Sequence, residues 1–149
     1  MRAVVQRANS GQVSVDGQLI AAVGPGLVVL LAVQKGDGPE EAEYMVEKLI
    51  NLRVFEDQAG KMNRSLLETG GEVLLVSQFT LYGDCRKGRR PGFDRAELPE
   101  AAQTCFDYAA SYMSERGIMV RTGIFGADML VTIENDGPCT ILLDSDKIF

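Results

Sequence analysis

With no histidine among 149 residues, a Ser-His-Asp triad, a Cys-His pair and every His-ligated zinc site are excluded. Cysteine is scarce too. Cys85, Cys105 and Cys139 are an odd number without C-x-x-C spacing, which argues against a disulfide framework or a zinc ribbon. No apolar run approaches the ~20 residues of a membrane helix, and MRAVVQRANS has no signal-like apolar core. The expectation is a cytoplasmic protein with no membrane partner, no metal and no cofactor. If it is an enzyme, carboxylates, hydroxyls, backbone groups or the substrate must replace the commonest general base.

A net charge of −6 argues against a broad nucleic-acid-binding surface but not against a local one. The densest cationic segment, DCRKGRRPGFDR, carries Arg86, Lys87, Arg89, Arg90 and Arg95. By itself such a run reads as a solvated loop.

Strands are predicted at RAVVQRA (2–8), around the Asp16-Gly17 turn of QVSVDGQLI, and at LVVLLAV (27–33), whose continuous apolar run suits burial on both faces. GDGPEEAEYMVEKLINLRVF opens a helix. Pro39 suits a first helical position, Glu40, Glu41 and Glu43 favour its positive end, and Ala42, Met45, Val46, Leu49 and Ile50 form one stripe. EDQAGKMN (56–63) reads as a polar turn and SLLETGG as an irregular connector. A buried strand follows from Glu72 to Gln78. A second helix is predicted from Pro99 to Arg116, ended by Gly117, with Ala102, Cys105, Phe106, Ala109, Tyr112 and Met113 inward. MVRTG, MLVTIEN and TILLD are further strands. The fold class expected is α+β: a single domain over 1–149, with a mixed, largely antiparallel, barrel-like sheet and two main helices.

Several residues invite chemical readings. Gly24-Pro25-Gly26 lacks the spacing and the following helix of a phosphate loop. Ser77 and Thr140 have no adjacent base, and hydroxyls at strand ends usually satisfy backbone groups. Cys139 reads as a small buried hydrophobe more readily than as a nucleophile. Phe79 is either core or a platform for a flat ligand. Gly137-Pro138 interrupts an apolar run, which by itself indicates a bulge or a strand break.

Taken together, SQFTLYGD (77–84) with RKGRRP (86–91), and NDGPCT (135–140), resemble the signatures of the D-aminoacyl-tRNA deacylase family. The resemblance extends through MRAVVQR, GPGLVVLLAV, NLRVFED with GKMN, and FGADM, and so covers nearly the whole chain. It implies a homodimer that hydrolyses D-aminoacyl-tRNA esters, and glycyl esters, with the site at the subunit interface. Gly137-Pro138 would be a cis pair reaching into the partner's pocket as a wall against L-amino acids. Ser77, Phe79 and Met129 would bind substrate, with Phe79 near the terminal adenine. Gln78, Thr80 and Thr140 would act in catalysis, and Arg86, Lys87, Arg89 and Arg90 would meet tRNA phosphates. A non-catalytic module that binds the tRNA 3′ end is the alternative. The chain departs from the family pattern at Gly83, where alanine is frequent, and at Cys139, where valine is.

Overall fold

The computed structural model describes residues 1–148. Its first strand, β1 (Arg2–Val15), is longer than expected and runs the 2–8 strand on into the QVSV alternation before the Asp16-Gly17 turn. Asp16 (φ +50°) and Gly17 (φ +77°) make the turn into β2 (Gln18–Val23), as the Asp-Gly pair predicts. On one edge β1 pairs antiparallel with β3 (Gly26–Ala32) through residues 2–8 and with β2 through 11–15.

Helix α1 (Pro39–Asn51) buries the whole predicted stripe of Ala42, Met45, Val46, Leu49 and Ile50. The polar turn at 56–63 joins two very short strands, β4 (Phe55–Glu56) and β5 (Met62–Arg64). The expected irregular connector is instead a one-turn helix, α2 (Leu66–Thr69). Ser65 and Glu68 form a reciprocal capping box around it, and Gly70 ends it at φ +66°.

Strand β6 (Glu72–Ser77) lies parallel to β3 and also to β7 (Met119–Thr122). Between them come a 3₁₀ turn (Phe79–Tyr82) and α3 (Pro99–Glu115). The last strand, β8 (Leu130–Asp144), follows the other edge of β1 along nearly all its length, where the sequence suggested two strands. β2 returns against β7, so the mixed sheet nearly closes on itself.

Two apolar clusters explain why β3 and β6 read as continuous hydrophobic runs. Leu27, Leu31 and Leu75 face α1 and α3, whereas Val28, Leu74 and Val76 face a second cluster with Val13 and Val23. Gly26 lies directly against the backbone of Glu72. A Cβ there would come within 2.6 Å of the Glu72 amide nitrogen and closer still to its carbonyl oxygen. Gly26→Ala is expected to lower stability by about 3 kcal/mol through overpacking of this parallel pair. Urea unfolding checks it, and an unchanged midpoint would contradict the packing.

Candidate functional site

Parallel strands present a ready ligand position beyond their carboxyl ends. β3 and β6 end side by side here, where the Gln78 N–H donates to the Leu31 carbonyl at 2.8 Å. The chain then tightens into the 3₁₀ turn, closed by Leu81 N–H to Gln78 and Gly83 N–H to Thr80. Tyr82 at its end is buried, and Phe79 at its start is thrust outward and 57% exposed. The Phe79 ring meets Phe93 edge to face with centroids 5.0 Å apart.

A cleft of about 740 Å³ opens at this point, and Ser77, Gln78, Phe79, Phe93, Asp128 and Met129 are among its lining. Four of the expected site residues therefore come together: Ser77, Gln78, Phe79 and Met129. Thr80 does not line the cleft; its hydroxyl accepts a short hydrogen bond from the Gln78 amide nitrogen Nε2.

The NDGPCT segment lies elsewhere. In β8, Thr140 is opposite Gln6 and Asn135 is opposite Ala8. Residues 136–139 thus face Arg7 alone, a four-against-one bulge. The Gly137-Pro138 bond within it is cis. Arg7, 9% exposed, holds the bulge from beneath. Its Nε donates to the Asp136 carbonyl at 3.1 Å and lies 2.8 Å from the Asp136 carboxylate, while its Nη1 reaches the Val54 carbonyl at 2.6 Å. In return the Asn135 amide donates to the Arg7 carbonyl at 2.7 Å.

Cys139 turns into the core, but Gly137, Pro138 and Thr140 are exposed and do not line the cleft of their own chain. Within one chain, the two motifs are not brought together. Arg7 was not among the residues singled out from sequence. Its signal was available: Ala3, Val5 and Arg7 share the inward phase of β1, where a guanidinium needs acceptors.

The basic segment forms a loop closed by the Asp84–Gly92 bridge. Arg86 folds back on Asp84, with Nη2 to Oδ2 at 2.6 Å. The hydrogen bonds from Arg86 hold the Asp84 carboxyl well below the usual carboxylate range. Its charge is therefore compensated locally. Lys87, Arg89 and Arg90 are exposed and, among the described residues, have no ion-pair partner. No cluster of three or more Cys, Asp or Glu suited to a metal occurs among the described residues.

Residues 4–144 match the family described as D-Tyr-tRNA(Tyr) deacylase. The chain belongs to that family. Similar family members include a D-aminoacyl-tRNA deacylase of Syntrophomonas wolfei, 60% identical over 149 residues and the full length of both chains. Another, from Thermoanaerobacter sp. strain X514, is 58% identical over the same span. Among solved structures, one titled c-Myc DNA Unwinding Element Binding Protein superposes with a TM-score of 0.91 at 42% identity, covering 97% of this chain and 98% of that one. A probable eukaryotic D-amino acid tRNA deacylase has a TM-score of 0.83 at 20% identity, covering 95% and 97%, and shows the shared fold.

Cysteine chemistry can be placed on this family member directly. Cys105 is buried with its thiol toward the Gly38 carbonyl, and burial, with Asp37 nearby, pushes its pKa up to about 11. Cys139 is buried and Cys85 exposed. Iodoacetamide at pH 8 is expected to label Cys85 alone in the folded protein and all three thiols after unfolding. Mass spectrometry reads the result, and rapid native labelling of Cys139 would contradict its burial.

Proposed function

We propose that the protein hydrolyses the ester joining a D-amino acid to the 3′-terminal adenosine of tRNA, and does so in the cytoplasm as a homodimer. The observation that carries this reading is the separation of its two motifs. The cleft at Ser77–Phe79 and the exposed bulge at Gly137-Pro138 lie apart on one chain, which supports a site completed by a second copy. A symmetric dimer would then hold two such composite sites.

The chemistry follows from what the cleft can offer. Phe79 supplies a flat apolar face for the adenine, and stacking of this kind contributes ~1–3 kcal/mol per base. The Gln78 N–H is already bonded to Leu31, whereas the N–H groups of Phe79 and Thr80, first in their turn, have no backbone partner among the described residues. Those two are the donors for the ester oxyanion. Water attacks the carbonyl carbon and the ribose 3′-oxygen leaves with a proton. The neighbouring 2′-hydroxyl of the substrate assists in place of a histidine. The Gln78 side chain, through its bond to the Thr80 hydroxyl, fixes the turn that aims the donors. Thr140, the first residue past the bulge on the partner, orients the water or the ester and is not the nucleophile.

Selection against L-amino acids rests on the partner's Gly137-Pro138 backbone, which forms a wall. With no side chain at 137, the backbone approaches the substrate Cα closely enough to accept a hydrogen and exclude a larger group. A glycyl ester has only hydrogens at Cα and passes the same wall. Lys87, Arg89 and Arg90 meet acceptor-stem phosphates, with Arg86 reserved largely for Asp84.

The test is hydrolysis of D-tyrosyl-tRNA and L-tyrosyl-tRNA side by side. Wild type is expected to cleave the D ester and spare the L ester. A Cβ at residue 137 would lie 2.7 Å from the Asn135 side-chain oxygen and would displace the wall. Gly137→Ala should therefore lose about 100-fold or more of the D activity. Cleavage of both esters by wild type, or full activity of the variant, would refute the wall. Binding of tRNA with no cleavage would favour a 3′-end binding module instead.

A further inference from the structure

The cleft extends well past the Ser77–Phe79 end. At about 740 Å³ it lies in the upper part of the ~300–1,000 Å³ range typical of small-molecule sites. One side is formed by the segment that begins at Phe93 and leads into α3, and the other by residues 125–131. Lys35 is laced to the first side. The Lys35 N–H donates to the Arg95 carbonyl at 2.9 Å, and Gln34 bridges to Ala96. Lys35 is the single basic residue lining the cleft, and its ammonium has no ion-pair partner among the described residues.

Of the acids in the lining, Asp94, Glu97 and Asp128, Glu97 feels the Lys35 charge without closing an ion pair. The Glu97 carboxylate accepts the N–H groups of Leu98 at 2.7 Å and Gly36 at 3.1 Å. Beside Lys35 the cleft also presents Leu98, an apolar side chain left 68% exposed. A cation without an ion-pair partner among the described residues, beside an open apolar surface continuous with a base platform, matches a phosphodiester followed by a base.

We propose that this part of the cleft is a subsite for the penultimate nucleotide of the tRNA 3′ end. Lys35 meets the phosphodiester that joins it to the terminal adenosine, and Leu98 and Phe93 support the base. The inference rests on the deacylase reading above and extends it from one nucleotide to two. The consequence is that substrate recognition includes a charge contact next to the ester, separate from the 86–90 loop.

The experiment uses two D-tyrosyl esters, one of adenosine and one of cytidylyl-adenosine, which alone contains the phosphodiester. KM and kcat are measured for wild type, Lys35→Glu and Lys35→Arg. Loss of one charge-assisted contact is expected to raise the dinucleotide KM roughly tenfold in Lys35→Glu. kcat should hold, and the adenosine ester should be unaffected. Lys35→Arg should keep the wild-type KM. Equal effects on both esters, or an effect on neither, would overturn the subsite. A wild-type protein that cleaves neither ester would fail the activity reading itself, and the subsite with it.

Discussion

The buried guanidinium of Arg7 is the constraint on which the rest of the site depends. It occupies an inward position of β1, where an unmatched charge would be costly, so the surrounding chain must supply acceptors. Two are backbone carbonyls, Val54 and Asp136, from segments far apart in sequence. The carboxylate of Asp136 is about half exposed, so the carbonyls carry most of the anchoring. To bring Asp136 over the guanidinium, β8 must leave its ladder with β1 for four residues. Gly137 and Pro138 stand outward because of that departure. One charged side chain thus turns a continuous strand into a rigid projection that its own cleft does not use.

The cleft has a different origin. Three parallel strands end near one level, and the chain leaving β6 is forced at once into a tight turn. That turn exposes Phe79 and leaves two N–H groups without backbone partners among the described residues, giving a flat apolar face and, in the proposed reading, donors for an oxyanion. Acid–base residues are not needed for such a site to act on an ester already activated by its ribose. In the proposed mechanism, a composition without histidine and a site built from backbone are two aspects of one design. The proposed tRNA contacts follow the same economy: in a protein of net charge −6 they draw on one loop and one lysine.

Much of this was legible in the residues. The stripe of α1 and the Asp16-Gly17 turn were read directly, because helix period and turn chemistry are local. So was the two-sided burial of β3 and β6. The Ser65–Glu68 capping box was equally local and was passed over as a connector. The continuity of β1 and β8 was not local: it depends on pairing across more than 100 residues, which no window of sequence contains. At the candidate site, Ser77, Gln78, Phe79 and Met129 were expected from family resemblance, and one cleft has all four in its lining. Phe93 and Lys35 join it only through contacts between distant segments. Arg86 looked equivalent to its basic neighbours until its bond to Asp84 set it apart.

The claim that most needs testing is that each site is completed by the partner's bulge. Two variants serve: Phe79→Glu, which spoils the exposed platform of the cleft, and Gly137→Ala, which spoils the wall. Each should be nearly inactive alone on D-tyrosyl-tRNA. Co-expressed in equal amounts, they should form mixed dimers in which one site combines an intact cleft with an intact wall. Random pairing then restores about a quarter of wild-type activity. If the co-expressed pair forms mixed dimers and stays as inactive as either variant alone, the site is not shared between subunits.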